Sequence, residues 1–174
     1  MKKTIIIIVA IILAVFSGNV MAQATKNTTA GAKIVAPITI SETSALNFGT
    51  MAVLASTAGT CVLSTQGVRT ATGGVNLSAQ TPIAANAAYT VGGAINTTYA
   101  ITLPSTITVS DLSTHTMTIN NLLARTASAG ANGLTGTLSG TGTDSFTIGG
   151  TLNVAAAQVA AVYSGTFNVT VAYN

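Results

Sequence analysis

Charge is what this chain has least of. Six Lys and Arg stand against three Asp and Glu in 174 residues, and Lys2 and Lys3 fall in a leader expected to be removed. What remains is Lys26, Lys33, Arg69 and Arg125 against Glu42, Asp111 and Asp144, which is close to neutral. Nucleic-acid binding needs clustered Lys and Arg, so no partner of that kind is expected. Cys61 is the single cysteine, which excludes an intramolecular disulfide. His115 is the single histidine, and one Cys with one His cannot furnish a four-ligand zinc site. Tryptophan is absent and Phe and Tyr number four each, too few for the two aromatic girdles of a membrane-spanning barrel.

The long hydrophobic run is confined to the N-terminus. Lys2 and Lys3 precede an apolar stretch from Ile5 to Phe16, followed by Ser17, Gly18 and the small-residue pattern Val20-Met21-Ala22. This reads as a secretory signal peptide over residues 1–22, cut between Ala22 and Gln23. The stretch is shorter than the roughly 20 apolar residues of a transmembrane helix, so no stable membrane insertion is expected after cleavage. Gln23 stands where a lipid-anchored protein would need a cysteine. The expected location is the periplasm in transit, then the cell surface or an extracellular fibre.

Past the leader the sequence is crowded with Thr, Val, Ile, Ala, Gly and Ser, residues that favour pleated surfaces and turns over helices. Alternation bounded by turn residues predicts strands at Ile34 to Ile40, Ala45 to Phe48, Cys61 to Thr65, Val75 to Leu77 and Tyr89 to Val91. Further strands are expected through Tyr99, Ile101 and Leu103, through Ile107 and Val109, and through Met117 and Ile119. Asn132-Gly133 predicts a tight turn between Leu122-Leu123 and Leu134 to Leu138. Phe146 to Val154 and Val162 to Tyr173 complete the set. The Ala-rich stretch from Val154 to Val162 is expected to be an irregular connection, with a turn of helix as the alternative. Many short strands spaced near ten residues apart point to an all-β, antiparallel sandwich of one domain.

Two segments stand out. Ser164 to Asn174 alternates strictly, placing Phe167, Val169, Val171 and Tyr173 on one face and Thr166, Asn168, Thr170 and Ala172 on the other. Near the mature N-terminus, Thr28, Ala30, Ala32, Ile34, Ala36, Ile38 and Ile40 share one parity. At about 3.3 Å per residue, the span from Thr28 to Ile40 would be about 43 Å, too long for one strand of a small domain. Pro37 lacks a ladder donor and marks a break or an edge. The division expected is an N-terminal extension over residues 23–35, then a domain over residues 36–174.

The search for chemistry returns little. Paired-carboxylate catalysis would have to draw on Glu42, Asp111 and Asp144, which lie far apart in sequence. Asp144 sits in the turn-like TGTDS, where an aspartate bonds to local backbone. Asp111 precedes His115 by a spacing that makes contact on a helix but separates the two along a strand. No Gly-x-Ser-x-Gly elbow and no phosphate-cradling glycine pattern occur. No catalytic residue, cofactor or metal is expected. Cys61, in an apolar strand, reads as a small buried hydrophobe, with an intermolecular thiol as the alternative.

APITISETSALNFGT (Ala36 to Thr50), RTATGGVNL (Arg69 to Leu77), YAITLPSTITV (Tyr99 to Val109), FTIGGTLNVAAAQ (Phe146 to Gln158) and YSGTFNVTVAYN (Tyr163 to Asn174) together carry a resemblance. They are similar to a secreted bacterial family catalogued as domain of unknown function 4402. That family in turn resembles the pilin-like, immunoglobulin-like β-sandwiches built by chaperone and usher systems. The resemblance implies an incomplete sandwich completed by an N-terminal donor strand from a neighbouring subunit. It also implies a penultimate tyrosine, which Tyr173 matches, and a glycine fourteenth from the end, where Ala161 departs from the pattern.

The expected function is therefore a structural subunit of a bacterial surface fibre, with Ala30, Ala32 and Ile34 as the inserted row. Phe167, Val169, Val171 and Tyr173 are the expected wall of the acceptor groove. Expected partners are copies of the chain itself, with a periplasmic chaperone and an outer-membrane usher. The alternative is a monomeric secreted adhesin or carbohydrate-binding sandwich module.

Overall fold

The computed structural model describes residues 23–174. The leader and Ala22 of the expected cleavage site lie outside the described residues. Gln23 to Lys33 carries no strand and is exposed throughout, and it falls in a separate unit from Ile34–Asn174.

The larger unit is all-β and antiparallel, with no helix among the described residues. Its strands are β1 (Thr39–Ser44), β2 (Met51–Val53), β3 (Gly59–Leu63), β4 (Arg69–Gly73), β5 (Val75–Leu77) and β6 (Ala87–Gly92). They continue as β7 (Thr98–Thr102), β8 (Thr106–Ser110), β9 (Thr116–Thr126), β10 (Thr135–Thr137), β11 (Thr143–Val154) and β12 (Thr170–Tyr173). The pleat explains their residues: in β6, Ala87, Tyr89 and Val91 are buried while Ala88, Thr90 and Gly92 face outward.

The 12-residue β11 is the spine of a seven-stranded sheet. One of its edges pairs first with β6, through Ile148 opposite Ala87, and then with β3, from Gly150 opposite Leu63. Its other edge pairs with β9, with an irregularity between Gly149 and Thr151. Glycine is required at 149, because a Cβ there would collide with the backbone of Leu63 and Thr65. β1 extends the sheet beyond β6, β4 beyond β3, and β8 beyond β9. A three-stranded sheet runs β10-β7-β12, and β2 pairs with β5.

Two core clusters fill the interior. One gathers Cys61, Leu63, Val75, Ile107, Ile119, Leu152 and Val154. The other joins Tyr89, Val91, Phe146 and Ile148 of the large sheet to Tyr99 and Ile101 of the small one. Tyr89 and Phe146 stack with ring centroids 5.1 Å apart. Cys61 is fully buried, as the reading of a small core hydrophobe requires.

Several sequence expectations shift. The first strand begins at Thr39 rather than Ala36, since Pro37 has no donor to offer a ladder. Ala45 to Phe48 makes only an isolated bridge, Asn47 to Ala85. β4, with the sequence RTATG, has too little apolar alternation to be recognised. The strands flanking Asn132-Gly133 do not form a simple hairpin, because β9 belongs to the large sheet while β10 pairs with β7. Val154 to Val162 is an irregular connection beyond the end of β11.

Candidate functional site

Among the described residues, the large and the small sheet each end in an edge strand with a single partner, β1 and β12. β12 pairs with β7, Val171 opposite Ile101 and Tyr173 opposite Tyr99, and with no other strand among the described residues. β1 pairs only with β6, Ile40 opposite Val91 and Glu42 opposite Tyr89. Both edges border one core cluster, in which Ile38 and Leu46 from the β1 side and Phe167, Val169, Val171 and Tyr173 from the β12 side are partly buried.

The alternation read in the sequence is present as a burial pattern. Phe167, Val169, Val171 and Tyr173 are half-buried, while Thr166, Asn168, Thr170 and Ala172 are exposed. The ladder itself is shorter than expected, because only Thr170–Tyr173 is paired. From Gly165 to Val169 the chain keeps its alternation without a strand partner, and Ser164 makes an isolated bridge to Ser110.

Across the gap, β1 turns residues 38, 40 and 42 toward the inner face, since their partners Val91 and Tyr89 are core residues. Ile38 packs on the shared cluster, whereas Ile40 is 37% exposed and Glu42 is exposed. The apolar strip that Ile38 and Leu46 share with Phe167, Val169, Val171 and Tyr173 forms a lane between the β1 and β12 edges. The shared face of Phe167, Val169, Val171 and Tyr173 was legible in the sequence, whereas its sharing of one core cluster with Ile38 and Leu46 was not. The even parity of Ile38 and Ile40 was visible in the sequence, but parity alone names no neighbour in another sheet.

One end of the lane is fixed by Tyr173. Its hydroxyl accepts from the Ala94 N–H at 2.7 Å and donates to the Ala36 carbonyl at 2.8 Å. Gly93 is required beside it, because any Cβ there would strike the tyrosine oxygen. This bond holds the chain just before β1. Beyond it Val35 is 45% and Ile34 96% exposed. Ala30 and Ala32 are also exposed and lie in no strand.

The remaining candidates for chemistry resolve into structural roles. Asp111 and His115 do meet, Nδ1 to Oδ2 at 2.6 Å, in the loop joining β8 to β9, a contact that an extended strand would not have given. Asp111 Oδ1 also accepts from the backbone N–H groups of Ser113 and His115. The His115 hydrogen bond, with help from those N–H groups, holds the Asp111 carboxyl below its usual range, against an opposing effect of burial.

Asp144 is in β11 rather than a turn. It accepts from Tyr99 Oη at 2.9 Å, from Ser128 Oγ at 2.6 Å and from the N–H groups of Ser128 and Ser145. Burial, and then the hydrogen bond to Asp144, push the Tyr99 hydroxyl well above its ordinary range. Among the described residues no cluster of three His, Cys, Asp or Glu forms a metal site.

The family model described as a domain of unknown function (DUF4402) matches residues 38–173. The chain belongs to the DUF4402 family. The DUF4402 match begins at Ile38, so it takes in both walls of the lane and leaves residues 23–35 outside. No curated protein matches the chain.

Proposed function

We propose that this DUF4402 chain is a structural subunit of a bacterial surface fibre, polymerising by strand addition between copies. In this reading the domain is an incomplete immunoglobulin-like, pilin-like β-sandwich. The observation that carries it is the uncovered lane: two unpartnered edges flank one apolar row, in a chain that also has an exposed N-terminal segment with a small apolar row of its own. An added strand would satisfy the free backbone groups of β12 and place Ala30, Ala32 and Ile34 over Phe167, Val169, Val171 and Tyr173. An uncovered edge of this kind otherwise invites uncontrolled association. Because donor and acceptor are different surfaces, the contact propagates into a filament instead of closing a dimer. The leader and the lane together suit export through the inner membrane, with a periplasmic chaperone and an outer-membrane usher handling the subunit.

The adhesin or carbohydrate-binding alternative has less support. Its usual platform is an exposed aromatic ring, and Phe48, Tyr89, Tyr99 and Phe146 are buried.

Electron microscopy and size-exclusion chromatography of the mature protein, with and without residues 23–35, test the proposal. Fibres are expected only from the chain with the extension. Fibres of normal length from the truncated chain would refute donor-strand assembly, and a strictly monomeric full chain would favour the binding module.

A further inference from the structure

A cavity of about 600 Å³ opens over β6, β9 and β11 of the large sheet. Its floor follows from the ladders. Thr147 of β11 stands between Arg125 of β9 and Ala88 of β6, so the three form one row across the sheet. Their chain neighbours Ile148, Ala124 and Ala87 are buried in the core, which turns the row to the opposite face. Ala88 has no side chain long enough to fill the space above it. At about 4.8 Å between strands, Arg125 and Ala88 are about 10 Å apart. The cavity is within the range of about 300–1,000 Å³ typical of small-molecule sites.

Among the described residues, Arg125 is the one charged group lining the cavity, and it has no ion-pair partner. Arg69 differs, since it donates to the carbonyls of Phe48, Thr50 and Ser78. A guanidinium presents paired donors in a planar fork that matches a carboxylate. The polar groups around Arg125 are committed in the opposite sense. Thr43 donates its hydroxyl proton to the Ala88 carbonyl at 3.1 Å, and Thr147 donates its own to the Thr65 carbonyl at 2.7 Å. Asn86 turns its amide nitrogen to the Ser64 carbonyl. A hydroxyl has one proton, so Thr43 and Thr147 offer a ligand only lone pairs, and the Asn86 oxygen is an acceptor as well. The matching ligand brings one oxyanion for the arginine and several hydroxyl donors for the walls. A phosphate ion supplies mainly acceptors, and an acidic peptide side chain supplies no hydroxyls.

We propose that this cavity binds an acidic sugar, with Arg125 holding its carboxylate and Thr43, Asn86 and Thr147 accepting from its ring hydroxyls. Recognition of this kind rests on hydrogen bonds and one cation, so it needs no exposed aromatic platform. The site does not rest on the fibre-subunit reading. It lies on the face of the large sheet opposite the core cluster that borders the lane, and it would serve a fibre subunit and a monomeric module alike.

Calorimetric titration of the mature chain with glucuronate and galacturonate, against glucose, galactose and acetate, tests the assignment. At least one uronate should bind saturably, and at least about tenfold more tightly than its neutral counterpart or acetate. Arg125→Gln should weaken binding by at least about tenfold. Arg125→Lys should restore only part of it, because an ammonium lacks the fork. Ala88→Leu leaves every charge and hydroxyl in place and should block the ring by filling the floor. Amide shifts of the wild-type chain, which need no variant to fold, should move at residues 88, 125 and 147 as uronate is added. Absence of saturable uronate binding in the millimolar range, equal affinity for acetate or for the neutral sugars, or tighter binding of a glutamate-rich peptide would overturn the proposal. Unchanged affinity in Arg125→Gln, or shifts confined to other residues, would do the same.

Discussion

Replacing Tyr173 by phenylalanine removes one oxygen and leaves the ring in the apolar row. The lost oxygen serves two backbone groups, the Ala94 N–H at 2.7 Å and the Ala36 carbonyl at 2.8 Å. A typical intramolecular hydrogen bond contributes about 0.5–1.5 kcal/mol net, so both together set an upper range of about 1–3 kcal/mol. Ala36 is exposed, and water can replace the tyrosine there. Ala94 is half-buried, so its N–H loses a partner less replaceably. The expected loss is therefore about 1–2 kcal/mol. For a domain of this size it would lower the melting temperature by about 2–8 °C. Urea unfolding of dilute mature protein gives the free energy, and amide exchange at Ala94 gives its location. The reasoning fails if Tyr173→Phe costs less than about 0.3 kcal/mol and leaves Ala94 protection unchanged.

Two further outcomes follow from the buried and titrating groups. Burial raises the Cys61 thiol above its usual value, against a smaller opposing effect of Arg69, so a thiol reagent at neutral pH should modify it only on unfolding. Rapid stoichiometric labelling of the native protein would contradict its place in the core. Asp111, with its carboxyl held below 3.8, binds fewer protons folded than unfolded near that pH. Its contribution to stability is thus fully present above about pH 5 and lost as pH falls through the folded value. An NMR titration of the side-chain carboxyl should show a midpoint below 3.8 that moves up in His115→Ala. An unchanged midpoint in that variant would show that the ring bond is not the main cause.

The sequence by itself determined the class of fold and the shared face of the last strand. β-Branched alternation is local information: Phe167, Val169, Val171 and Tyr173 must share a face whenever the chain is extended. Burial of Cys61 was legible for the same reason, from residue type and its place in an apolar strand. Only the tertiary structure decided which strands meet. No local pattern tells Leu134 to Leu138 to pair with β7 instead of β9, or Asp111 to meet His115 across a loop. The β1 wall is the clearest case. Whether Ile40 and Glu42 are covered depends on where the second sheet stops, and that is set by non-local packing of β12 on β7, not by the residues of β1.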